Sequence, residues 1–427
     1  MKYLYVLFLG LFLSSNLLKA QDFYLHCGNM LDIQSGKFLK NKTIIVSQNK
    51  IKEVKDGFVS KANASDSEID LKNEYVLPGL IDMHVHIESE TNARSYMSDF
   101  LDNEADVAFE AARFAEITLM AGFTTVRDLG GTGVNISLRN AINKGVTKGP
   151  RIFAAGKSIA TTGGHADPTN GRNKKLMGDP GPLEGVVNSP EDGVKAVRQR
   201  YKEGADVIKI TATGGVLSVA KSGKNPQFTI EEIKAITQTA KDYNMLTAAH
   251  AHGDEGMQRA ILGGIKTIEH GTFMSDATME LMKKFDVYLV PTITAGKEVA
   301  EKAKITGFYP EIVRPKALEV GPQIQETFGK AYKKGVKIAF GTDAGVFPHG
   351  INAKEFTYMV EAGMPQLAAI QSATIVNAKL LGVENEIGQL KENFFADIIA
   401  VNENPLEKIS TLEQVTFVMK DGKIYKN

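Results

Sequence analysis

The sequence predicts an α/β protein: a (β/α)8 TIM barrel with a small β-sandwich domain formed from both chain ends. Three observations carry this. The middle of the chain alternates apolar runs with helical patterns eight times, and that alternation specifies parallel strands joined by helices. Both ends are β-rich and contain turn signals. Histidines, a lysine and an aspartate recur where the apolar runs end, the face on which such barrels assemble their sites. The expected division is a signal peptide at 1–20, the first part of the β domain at 21–78, the barrel at 79–384 and the rest of the β domain at 385–427.

The N-terminal segment has a cationic start at Lys2 and an apolar run at 3–13, too short to span a bilayer. Ser14 and Ser15 break that run, and Leu18-Lys19-Ala20 offers a cleavage site before Gln21. The expectation is export to the periplasm, or secretion, with no membrane span left after cleavage; the alternative is a buried N-terminal helix. Cys27 is the only cysteine, so no internal disulfide can form. Residues 23–31 and 43–46 pattern as strands, Gln48-Asn49-Lys50 as a turn, and 51–54 as the returning strand. At the other end, 397–401, 415–419 and 423–425 pattern as strands, the last two around the turn pair Asp421-Gly422.

Eight strands are expected between these ends, at 80–87, 124–129, 151–155, 207–211, 246–251, 267–271, 288–292 and 337–341. Helices are expected at 104–121, 190–203, 229–243 and 275–285. Pro190-Glu191-Asp192 and Thr229-Ile230-Glu231-Glu232 are good helix starts, with acids in the first turn. A doubly wound open sheet would want a glycine-rich loop after the first strand; here that strand ends in His-Val-His.

Composition narrows the function. The 427 residues are 43% hydrophobic and 23% charged, with 50 basic and 50 acidic side chains. A net charge of zero gives no support to nucleic-acid binding or a polybasic membrane patch. A small-molecule substrate is expected, and the chain could form a homo-oligomer.

Six residues at the ends of strands one, four, five, six and eight stand out: His84, His86, Lys209, His250, His270 and Asp343. Five are ordinary ligands for a divalent metal. His84 and His86 are two apart on a strand and share a face; alone, such a pair could equally be hydrogen-bonded surface histidines. Lys209 could snorkel to the surface. Buried, it would have a depressed pKa and a nucleophilic amine able to take up carbon dioxide, giving an anionic carbamate that can bridge two cations.

The motifs Leu77-Pro-Gly-Leu-Ile-Asp-Met-His-Val-His86, Lys209, His250, Ile268-Glu-His270-Gly and Gly341-Thr-Asp343 resemble those of the amidohydrolase superfamily. Ala121-Gly-Phe-Thr-Thr-Val-Arg-Asp128, Thr162-Gly-Gly-His165, Thr213-Gly-Gly-Val216 and Pro348-His-Gly350 extend the resemblance to the imidazolonepropionase-like branch, which includes metal-dependent Xaa-Pro and other dipeptidases. Imidazolonepropionase itself has one metal and no lysine on strand four, so Lys209 favours the binuclear, dipeptidase-like side. The resemblance implies two divalent ions, with zinc the default. His84, His86 and Asp343 would hold one, His250 and His270 the other, and N-carboxylated Lys209 would bridge them.

It also implies hydrolysis of a carbon–nitrogen amide bond in a dipeptide or N-acyl amino acid. A metal-bridging hydroxide would attack, Asp343 would shuttle the proton, and Asp343 and His270 are the expected catalytic residues. The alternatives are a cyclic amide, a lactone or a phosphotriester as substrate, or a catalytically idle barrel. The absence of a Gly-x-Ser-x-Gly elbow speaks against serine catalysis. His165 and His349, in loops after strands three and eight, are expected to face substrate unless they are structural. Gly214 and Gly215 would let backbone approach substrate closely. Arg127 and Arg151 could bind a carboxylate or form structural ion pairs. The Gly- and Pro-rich stretch 161–185 is a candidate lid.

Overall fold

The computed structural model describes residues 21–427; the segment expected to be a signal peptide, 1–20, lies outside the described residues. The first strands are β1 (Asp22–Asp32), β2 (Lys37–Ser47), β3 (Lys50–Asp56) and β4 (Ser67–Pro78). Near the C-terminus they are joined by β13 (Ile398–Val401), β14 (Phe417–Lys420) and β15 (Lys423–Lys426). Where the sequence suggests a sandwich, hydrogen bonds link all seven into one sheet, in the order β15-β14-β13-β4-β1-β2-β3. The two ends meet where β4 pairs antiparallel with β13, Leu77 opposite Ile399. Leu25, Cys27, Ile44, Val46, Leu71 and Ile398 fill the core of this sheet. Asp421 and Gly422 both have positive φ, as the expected hairpin turn requires.

The eight central strands are β5 (Leu80–Val85), β6 (Phe123–Asp128), β7 (Arg151–Ala154), β8 (Val207–Thr211), β9 (Leu246–Ala251), β10 (Thr267–His270), β11 (Tyr288–Val290) and β12 (Lys337–Ile338). All pairings among them are parallel, in a three-stranded sheet β5-β6-β7 and a five-stranded sheet β12-β11-β10-β9-β8. β5, β6 and β8 are buried along their whole length, as strands covered on both faces must be. The two sheets touch at both seams. Ile159 bridges to Ile210: its N–H donates to Lys209 O at 2.8 Å, and its carbonyl accepts from the Thr211 N–H at 3.0 Å. At the other seam Val85 bridges to Ala344, and the Asp343 N–H donates to His84 O at 2.7 Å.

Helices Pro190–Glu203, Ile230–Asp242 and Asp276–Lys284 start where Ser189, Thr229 and Ser275 accept a hydrogen bond from the first turn. Thr229 and Glu232 form a full capping box. Among the described residues no helix is long and apolar enough to cross a membrane.

Arg151 fastens the central strands to the terminal sheet. Its guanidinium donates to Asp397 Oδ2 at 2.7 Å and also pairs with Asp421. It is a structural clamp, one of the two roles open to it in the sequence. Asp397 is nearly fully buried, so losing its partner strands a charge. Arg151→Ala should lower the unfolding free energy by about 3 kcal/mol in a urea titration. Arg151→Lys should recover only part of that, because one ammonium lacks the fork that holds two carboxylates.

Candidate metal centre

Strand geometry gathers the histidines. On β5, His84 points inward, and His86 follows one residue past the strand end. Lys209 comes from β8, His250 from β9 and His270 from the last position of β10, all nearly fully buried. Asp343 lies beyond β12, held beside β5 by the seam hydrogen bond. The six residues singled out in the sequence thus line one cavity of about 210 Å³.

The outer nitrogens of the imidazoles are committed. His84 Nδ1–H donates to Glu269 Oε2 at 2.9 Å, and His86 Nδ1–H donates to the Gly130 carbonyl at 2.7 Å. Both Nε2 lone pairs therefore face inward. Each Nε2 lies 3.3 Å from Asp343 Oδ1, an anionic acceptor. Three acceptors converge with no donor between them, and His84 Nε2 and Asp343 Oδ1 are buried without a hydrogen-bond partner. Such an arrangement calls for positive charge. Burial disfavours a proton on His86, yet the Asp343 carboxylate outweighs burial and raises its pKa. On the opposite side His250 Nε2–H donates to the Gly214 carbonyl at 3.1 Å, which leaves Nδ1 free.

Glu269 is the buried anchor of this array. It accepts from Arg127 Nη2 at 2.8 Å and from His84. Burial alone would push its carboxyl up, but Arg127 and His84 hold it down at about 2. Arg127 also donates to Met83 O at 2.6 Å and Thr267 Oγ1 at 3.2 Å, so it is structural and does not face the cavity. Asp82 accepts from the backbone N–H of His84 and Thr342 and from the side chains of Thr342 and Asn352, tying the end of β5 to the turn that carries Asp343.

Three site residues adopt positive φ without being glycine: His270 (73°), Thr292 (54°) and Asp343 (63°). Such conformations cost on the order of 1–3 kcal/mol each and persist where surroundings impose them. Thr292 Oγ1 bonds His270 Nδ1 at 2.7 Å. The helix Ile293–Ala303 begins directly after it, and the Glu355 carboxylate accepts from the N–H groups of Ile293 and Thr294 at 2.7 Å each. Burial pushes the Glu355 carboxyl up to about 8 against those donors.

His165 lines the cavity. Its ring lies 4.3 Å from that of His250, its Nδ1 has no partner, and burial lowers its pKa to about 3, with His252 and Lys209 adding to the shift. His349 does not join it. Stacked on Phe114 and donating Nε2–H to Ser89 O at 3.1 Å, it is a structural loop histidine. Gly214 and Gly215 do permit close approaches, but to protein: a Cβ on Gly215 would fall 2.1 Å from the His165 ring, and one on Gly214 would fall 2.2 Å from Ser222 O. Of the stretch 161–185, only His165 and Ala166 line the cavity.

His252 was missing from the expected set. It lines the cavity, stacks on His270 with ring centroids 4.8 Å apart, and contributes to a group with His250 and His270 whose ligand atoms lie within 4.8 Å of one another. The signal was available: His250-Ala251-His252 repeats the spacing of His84 and His86. A second group, His84, His270 and Asp343, meets the same distance limit. Imidazole nitrogens and a carboxylate with free lone pairs fit a divalent cation of the zinc type.

Parallel strands deliver imidazoles, a lysine and an aspartate to one buried cavity, and with the relatives that share this fold they place the chain among hydrolases acting on carbon–nitrogen bonds. The chain belongs to the amidohydrolase family, whose model matches residues 75–425. It is 32% identical to ochratoxinase from Aspergillus niger over 410 residues, 92% of this chain and 84% of that one. It is also similar to the crystal structure of a Xaa-Pro dipeptidase with bound methionine in the active site: 55% identity, TM-score 0.92, covering 95% of this chain and 100% of the other. A prolidase complexed with N-methylphosphonate-L-proline has 30% identity and a TM-score of 0.87, covering 95% and 100%.

Glu269→Gln should remove the charge that balances Arg127. The expected loss is about 3–5 kcal/mol of unfolding free energy. It should also loosen the His84 ring and weaken retention of an added divalent ion by about 10–100-fold against a chelator.

Proposed function

We propose that this protein is a binuclear metal-dependent dipeptidase of Xaa-Pro type, or an N-acyl-amino-acid hydrolase. The observation that carries this is the convergence of His84 Nε2, His86 Nε2 and Asp343 Oδ1 with no donor among them. Likeness to a Xaa-Pro dipeptidase and a prolidase supports the choice of bond. His84, His86 and Asp343 would hold one divalent ion, His250 and His270 a second, with zinc the default. Bound there, the ions would acidify a water and polarise the scissile carbonyl.

Lys209 is 4% exposed, and burial lowers its pKa to about 8 against the opposing pull of Glu269 and Asp343. Its neutral amine can add to carbon dioxide and lose a proton, giving a carbamate that would bridge the two ions. Asp343 accepts the proton of the attacking water on its carboxylate and delivers it to the leaving nitrogen as the C–N bond breaks. His165, kept neutral by burial, lines the cavity beside His250, where its ring can hydrogen-bond the carbonyl oxygen. His270 is set by Thr292 at the heart of the group.

The same reading closes β5–β12 into a barrel, supported by the hydrogen bonds at both seams. It divides the chain into a barrel at 79–384 and a small β domain from 21–78 and 385–427. Export to the periplasm or medium rests on the pattern of residues 1–20.

Hydrolysis of a dipeptide panel, compared with lactones and phosphotriesters, tests the choice of bond; faster turnover of the esters would overturn it. Lys209→Ala should lose metal and activity together, with short carboxylic acids restoring part of both; full activity in that variant would remove the bridge. Asp343→Asn should keep much of its metal while turnover drops about 10²–10⁴-fold.

A further inference from the structure

Lys316 is a half-buried cation without a counter-ion. Its ammonium donates to Gly215 O at 3.0 Å and to Ser218 O at 2.7 Å. Two of its three protons are thereby used, both on neutral carbonyls. Among the described residues no carboxylate pairs with it, and Glu319, about one turn further along its helix, is paired with Lys224. Burial lowers its pKa to about 8, which leaves it charged at neutral pH. A cation drawn partly out of water and offered only carbonyl dipoles is incompletely compensated.

The ammonium also stands at the cavity. Lys316, Val320 and Ile324 are four apart on helix Arg314–Lys333 and share a face, and Val320 and Ile324 line the cavity. Only about 6 Å of helix rise separates Lys316 from Val320. Across from that helix, Val216 and Leu217 line the cavity too, and they lie between the two carbonyls that Lys316 holds. Burial lowers the pKa of His165 and of His252, and the charge of Lys316 adds to both shifts. Its field therefore reaches two of the cavity's rings. With Lys209 carbamylated, as the reading above has it, that amine becomes an anion, and Lys316 is the lysine left to meet a negative group here.

We infer that Lys316 is a specificity-determining residue: its remaining N–H receives a carboxylate of the substrate while the scissile amide lies at the histidines. This rests on the dipeptidase reading and deepens it, naming the side chain that separates free acids from their amides.

The test uses the metal-loaded enzyme with alanyl-leucine, alanyl-leucinamide and alanyl-glutamate α-amide, whose only carboxylate is on the side chain. Lys316→Met keeps the length and removes the charge. It should raise KM for a peptide whose carboxylate it receives by about 10–100-fold, with kcat nearly unchanged, and leave alanyl-leucinamide unmoved. Lys316→Arg should recover part of the loss. Loss on alanyl-leucine assigns the ammonium to the α-carboxylate, and loss on alanyl-glutamate α-amide assigns it to an acidic side chain. Tyr96→Phe serves as the control for a loop strap, because Tyr96 OH donates to Leu217 O at 2.8 Å and holds the same loop without a charge. That variant should move acids and amides alike. A Lys316→Met variant that also moves acids and amides alike overturns the inference. Calorimetric titration with leucine, glutamate α-amide and leucinamide gives a readout independent of turnover, and the substitution should weaken only a carboxylate ligand. Carboxylate binding that depends on Lys316, with no peptide hydrolysed, upholds the role of the ammonium and sinks the dipeptidase reading instead.

Discussion

The site depends on one buried carboxylate. Glu269 lies between the Arg127 guanidinium and the His84 ring, without exposure to solvent. Three strands meet there: β5 through His84, β6 through Arg127 and β10 through Glu269 itself. An ionised carboxylate in that position is tolerable only because both partners donate to it. Its charge in turn decides which nitrogen of His84 carries the proton, and so where the free lone pair points. On the other flank of Glu269, His270 follows in the chain and takes a left-handed backbone to turn into the same space.

Around this anchor three cavity residues, His270, Thr292 and Asp343, hold left-handed backbone. Thr292, a β-branched residue at φ 54°, is held by His270 below and by a helix N-terminus above. Glu355 restrains that helix from the helix Lys354–Glu361, so the helix and the His270 ring are fixed by one chain of contacts. Asp82 does the equivalent work at the seam, where the Asp343 turn meets the end of β5.

Much of this was legible in the sequence because it is local. Eight apolar runs between helical patterns located the eight central strands, and spacing put His84 and His86 on one face. Strand β4 was not legible: Glu68, Asp70 and Lys72 point to solvent, and the segment resembles a charged linker until β1 and β13 flank it. β12 is shorter than expected because the chain leaves the ladder early to make the Asp343 turn. The role of Glu269 needs Arg127, 142 positions away, and no periodicity announces such a pair. For His349 the sequence left two roles open, and its ring lies against Phe114 and the Ser89 carbonyl, contacts that no local pattern announces.

The terminal sheet has a consequence for biogenesis. Its central pairing joins Leu77 to Ile399, with the whole run of central strands and helices between them. A nascent chain emerging from the ribosome therefore carries β1–β4 with one side open until the last strands arrive, and an open edge is a template for wrong partners. Arg151 is synthesised long before Asp397 and Asp421, the carboxylates it clamps. Folding is thereby tied to completion of translation, and truncation near the C-terminus would damage the sheet on which the N-terminal strands rely.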